Sequence, residues 1–117
     1  MSEPTIQIGC VSNVYIRMMH FHKAGDVELG HSHQFDHVSF LSKGSMKIVV
    51  EGIEKTFTAP HMILIAKNKE HEMTALEDDT MMSCIHALRD LSDGDVLDPD
   101  QIPYTENPRL QPHDGTF

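Results

Sequence analysis

Nine histidines stand in 117 residues, and neutral imidazole is both a common transition-metal ligand and the side chain that carries protons near neutral pH. His31-Ser32-His33 separates two imidazoles by one residue, so on a strand of period two both project from one face, close enough to share an ion. Taken alone, this pattern fits chance alternation on a solvated strand equally well. His37 enters the next β-rich run and His71 stands at the start of another, so four imidazoles can converge inside a closed sheet. His20 and His22 repeat the pattern and can in principle form a ligand pair themselves. If they point inward they can instead act as hydrogen-bond donors or proton carriers beside an ion, and otherwise they are solvated or structural. His86 shares a strand face with Met82 and Cys84 and is a further pocket candidate, whereas His61 and His113, next to prolines, read as solvated.

The elements that must position these groups are strands. Helical signals are hard to find, and short β-rich runs with turn residues between them recur along most of the chain, as in an all-β sandwich or barrel. The predicted strands are residues 6–11, 13–22, 27–32, 36–41, 45–50, 53–58, 62–65, 70–76 and 80–88, with Lys23-Ala24-Gly25-Asp26 as a turn. The run from Lys47 to Phe57, broken at Glu51-Gly52, predicts a hairpin. Met62-Ile63-Leu64-Ile65-Ala66 is apolar at every position, which predicts cover on both faces: the barrel interior on one side, a second subunit or the chain's own tail on the other. Arg17 lies in an otherwise apolar run, where a buried guanidinium would require a carboxylate partner. It either anchors a substrate carboxylate or reaches water. The eight methionines read mostly as core, with an adaptable lining as a secondary role.

Bulk composition limits the remaining possibilities. A chain of 13.2 kDa fits one domain, here a barrel over residues 1–88 followed by an irregular acidic tail over 89–117 that is dense in proline and Asp-Gly. A formal charge of −9 repels phosphate backbones and anionic lipid, which excludes nucleic acid and membrane surfaces as partners. No apolar run approaches the roughly 20 residues needed to cross a bilayer, and the N-terminus lacks the features of a signal peptide. The expectation is a soluble, cytoplasmic protein, and a homodimer because of the Met62–Ala66 strand. Cys10 and Cys84 lack metal-type spacing and read as buried thiols.

The spacing around His31 resembles the first conserved motif of the cupin superfamily: Gly25, five residues, His31-Ser32-His33, three residues, His37, six residues, Gly44. His37 stands where that motif carries glutamate. The second motif is matched more loosely, with Pro60, Ala66 and Asn68 ahead of His71; asparagine tolerates the left-handed conformation that the motif's glycine normally supplies. The resemblance spans residues 25 to 75. It implies a double-stranded β-helix, or jelly-roll barrel, holding one divalent transition metal on His31, His33, His37 and His71, with Asp36 as a fallback oxygen ligand.

Imidazole ligands suit Fe, Mn, Ni, Co, Cu or Zn rather than Mg or Ca. Four neutral ligands leave the charge of the ion uncompensated, which favours anionic oxygen donors at open positions. Fold does not decide reaction. With an all-histidine site, open positions beside the ion and no obvious catalytic carboxylate, the first expectation is an oxidoreductase, dioxygenase-like, acting on a small anionic or enolisable substrate. The second is a redox-neutral isomerase or lyase in which His20, His22 or His86 moves a proton. The third is a binding or sensing module without turnover.

Overall fold

Glu51 and Gly52 both take positive φ, 48° and 80°, the conformation whose twist suits a two-residue hairpin. Val50 accordingly pairs with Ile53, and the arms zip from there to Ser45 opposite Thr58. This is the hairpin expected from Lys47 to Phe57. The computed structural model of the chain describes residues 2–31 and 37–88, so His33, Asp36 and the acidic tail lie outside the described residues.

Nine strands follow one another: β1 (Thr5–Val11), β2 (Val14–Phe21), β3 (Val27–His31), β4 (His37–Lys43), β5 (Ser45–Val50), β6 (Ile53–Thr58), β7 (His61–Ile65), β8 (His71–Ala75) and β9 (Thr80–Ala87). They match the expected runs to within about two residues. All pairings are antiparallel. A five-stranded sheet, ordered β1-β2-β9-β4-β7, faces a four-stranded sheet ordered β3-β8-β5-β6. This is the jelly-roll arrangement that the sequence predicts. Among the described residues there is no helix, and so none long and apolar enough to cross a membrane.

Alternation divides each inward strand between core and surface. Met19, Phe21, Leu41, Met46 and Met82 are fully buried, with Met73 and Ala75 almost so, and they form one cluster between the sheets. The methionines fill the irregular space between two twisted sheets because an unbranched thioether adapts its shape. Gly44 closes this end of the barrel at φ 84°, where an added Cβ would collide with the Thr80 hydroxyl and lie 3.0 Å from Thr80 Cα. The strand β7 is covered on one face only: Ile63 and Ile65 are buried, whereas Met62 and Leu64 are about 70% exposed among the described residues.

Candidate metal centre and its cavity

The inward side chains can be read off the register rung by rung. On the five-stranded sheet, Met19 lies opposite Met82 and Leu41 opposite the same Met82, making one apolar rung. The next rung is polar: Arg17 and Ser39 both flank Cys84. Beyond it Tyr15 faces His86, their rings 4.7 Å apart. His37 precedes Val38, which pairs with Ile85, so it falls on this last rung too. The facing sheet follows the same gradient, from Met73 and Ile48 to His71 with Val50 opposite it. One end of the barrel interior is therefore apolar, and the other, the chamber, is lined by polar side chains.

Two of the four expected ligands meet in that chamber. His37 and His71 are buried, one from each sheet, with ring centroids 5.3 Å apart and a 48° tilt. His71 Nδ1 lies 3.1 Å from the Lys69 carbonyl. A carbonyl only accepts, so Nδ1 carries the proton and Nε2 has the lone pair of a neutral ligand imidazole. The loop that presents His71 depends on Asn68 at φ 61°, the left-handed role expected of it in place of glycine. His31 pairs directly with His71; its side chain and all of His33 lie outside what the structure describes. Two buried imidazoles from facing sheets, with His31 paired to His71 along the backbone, fit a borderline divalent ion.

A carboxylate, Glu28, also reaches the chamber. Simple alternation back from His31 would turn Glu28 outward. However, β3 carries an extra residue between Glu28 and His31 relative to β8, so that Glu28 faces Met73 and His31 faces His71. A bulge of this kind reverses the alternation, and a glycine inside a strand, here Gly30, is a common mark of one. Glu28 Oε1 then accepts a hydrogen bond from Arg17 at 2.9 Å, with side chains 16% and 27% exposed. Arg17 thus has the carboxylate partner that a strand guanidinium facing inward requires, and it also donates to Met19 Sδ at 3.2 Å.

Cys84 sits beside this ion pair and contacts the Ser39 hydroxyl at 3.5 Å. Burial pushes its thiol above the ordinary range, against the Ser39 hydrogen bond and the Arg17 charge, so it remains protonated and is a poor nucleophile at neutral pH. Neither cysteine forms a disulfide. His86 Nδ1 lies 2.9 Å from the Ala87 carbonyl, which fixes the proton there and makes Nε2 the basic nitrogen.

His20 and His22 do not join the chamber. In β2 the buried residues are Tyr15, Met19 and Phe21, so His20, of opposite parity, lies on the outer face. Its Nε2 is 3.0 Å from Asp79 Oδ1, and His22 Nε2 is 2.7 Å from the Thr5 hydroxyl. Their proposed role beside the interior ion required that they point inward, and they do not. Glu28 and Ser39 are the chamber residues that sequence reasoning passed over. The one signal for Glu28 was Gly30 inside a strand.

No protein-family model matches the sequence, and no curated protein matches it either. Solved structures do match in shape. KdgF from Halomonas sp. is 18% identical and superposes with a TM-score of 0.64, covering 74% of this chain and 79% of that one. A double-stranded β-helix protein from Klebsiella pneumoniae is 13% identical at a TM-score of 0.65, over 81% and 83% of the two chains. A cupin-2 domain protein from Shewanella frigidimarina is 16% identical at 0.60, over 74% and 83%. At these identities the likeness establishes the fold.

Proposed function

The chain has the cupin fold, and on that premise we propose that it is a metal-dependent enzyme whose polar chamber binds one divalent transition ion and a small anionic or enolisable substrate. The observation that carries the reading is the meeting of His37 and His71, buried imidazoles from facing sheets, with ring centroids 5.3 Å apart. His31, His33, His37 and His71 would hold the ion. When bound, such an ion supplies Lewis acidity toward an enolate or carboxylate oxygen and, where it is redox-active, electron transfer to dioxygen.

The protein's own contribution is positional. The apolar rung of Met19, Met82 and Leu41 floors the chamber and excludes water on that side. Arg17 offers a guanidinium to a substrate carboxylate, and Glu28 holds that guanidinium in place. Oxidation of the substrate is the first reading. A second, redox-neutral isomerase or lyase, draws support from His86, an imidazole at the same end of the barrel, beside Tyr15, of the type that moves protons near neutral pH. We propose further that the molecule works as a dimer through the exposed apolar face of β7, and that its activity is cytoplasmic.

Metal analysis of purified protein, beside a His71→Ala variant, tests the centre: the parent should hold about one equivalent more than the variant. Equal metal content in the two would overturn the ligand assignment. A panel of diketones, phenols and hydroxy acids, followed with an oxygen electrode, separates the two reactions. Turnover with oxygen uptake supports oxidation, and turnover under strict anaerobiosis supports the isomerase or lyase.

A further inference from the structure

We propose that the outer face of the five-stranded sheet carries a separate cation site, formed by His20, His22 and Asp79, for a borderline divalent ion such as Zn²⁺ or Cu²⁺. His20 lies near the end of β2 and His22 just beyond it, two residues apart, so both rings leave the same face. Their centroids are 4.0 Å apart with a tilt of 34°. Asp79 precedes β9, where Phe21 pairs with Thr80, so it falls opposite His22, and its backbone N–H donates to the His22 carbonyl at 3.1 Å. That hydrogen bond holds Asp79 at φ 54°, a left-handed conformation that aspartate tolerates better than most residues. The carboxylate consequently stands over the rings, its Oδ1 3.0 Å from His20 Nε2.

One donor atom from each of the three residues lies within 4.8 Å of the other two. Donors bound tetrahedrally at about 2.0–2.1 Å from zinc are about 3.3 Å apart, so each side chain needs a shift on the order of 1 Å, which exposed rotamers allow. Two imidazoles and one carboxylate favour Zn, Cu, Ni or Co over Mg or Ca. Three protein donors leave at least one coordination position for water, and the Thr5 hydroxyl stands beside His22. Lys43 approaches Asp79 and weakens binding through its charge, against the −9 of the whole chain, which favours a cation.

This site is independent of the interior centre. The rungs from Tyr15 to Phe21 span six residues, about 20 Å at strand rise, and the histidines lie on the opposite face of the sheet from Arg17 and Met19. A bound ion would add a further tie between β2 and the turn entering β9.

Copper titration with electron paramagnetic resonance tests the assignment in the full chain. His71→Ala removes an interior ligand and should still bind one equivalent of Cu²⁺ with nitrogen hyperfine structure. Adding His20→Ala and His22→Ala to that variant should abolish the signal, and Zn²⁺ should no longer raise the melting temperature. Asp79→Asn keeps the side-chain shape and guards against a folding defect. It should weaken Cu²⁺ by more than about 10-fold, the lower range for loss of a mere outer partner of a ligand. Copper stoichiometry and spectrum unchanged by the histidine substitutions, or affinity unchanged by Asp79→Asn, would overturn the proposal. Neither result bears on the His71 centre.

Discussion

Replacing Arg17 by methionine removes the guanidinium from the polar rung while keeping a side chain of similar length. Glu28 is then left beside Cys84 and Ser39 without its cation. An exposed ion pair contributes about 0–1 kcal/mol, whereas stranding one member of a fully buried pair costs about 3–5 kcal/mol. The two side chains are 27% and 16% exposed, so the cost lies between these limits, at about 2 kcal/mol. For a barrel of this size that lowers the melting temperature by about 10 °C. Glu28→Gln keeps an acceptor for the guanidinium and should cost only about 1 kcal/mol. Urea denaturation of the parent, both single variants and the double variant gives the coupling energy, expected at about 1 kcal/mol. The same Glu28→Gln variant leaves an uncompensated cation in the chamber, and titration calorimetry with simple carboxylates should show binding tightened by about 5-fold, the equivalent of about 1 kcal/mol. Coupling below about 0.3 kcal/mol, together with unchanged carboxylate affinity, would refute the reasoning: the pair would then be a screened contact, unable to orient a substrate.

Gly44→Ala should destabilise by about 3 kcal/mol, from the left-handed backbone and the collision with Thr80, and chemical denaturation will show whether it does. Asp26 is buried and its carboxyl is held below the usual range, first by the Ser2 hydroxyl, which donates at 2.8 Å, against the opposing effect of burial and with help from the Lys23 N–H. A folded-state pKa below the unfolded one stabilises above the ordinary carboxylate range of about 4 and ceases to do so as the pH falls through the folded value. Asp26→Asn should therefore melt lower than the parent at pH 7, with the gap closing in acid; a constant gap from pH 7 to pH 3 would contradict this. Sedimentation should show a dimer for the parent and a monomer for Met62→Glu combined with Leu64→Glu, since both side chains are exposed and apolar on β7; a monomeric parent would remove the dimer.

How far the sequence could be read depended on whether alternation survived from one residue to the next. Between Ser45 and Thr58 it did, and turn chemistry at Glu51-Gly52 set the register without help from the rest of the chain. The left-handed turn at Asn68 was likewise legible, because the demand there is local and asparagine meets it. In β2 the pattern was ambiguous. Tyr15, Met19 and Phe21 are apolar on one face, but Ile16 and Met18 are apolar on the other, so the strand alone does not say whether Arg17 or His20 turns inward. That choice belongs to the pairing with β9, which sets Arg17 opposite Cys84 and Met19 opposite Met82, a contact across more than sixty residues. In β3 the pattern was misleading rather than ambiguous. Counting by twos from His31 puts Glu28 outside, and the single bulge after it puts the carboxylate inside, against Arg17. The chemical consequence is larger than the geometric one. The guanidinium and the carboxylate neutralise each other, so the charge of a bound ion stays as uncompensated as among imidazoles alone. An incoming anion must therefore compete with Glu28 for Arg17, and selectivity among carboxylates would depend on how well each displaces it.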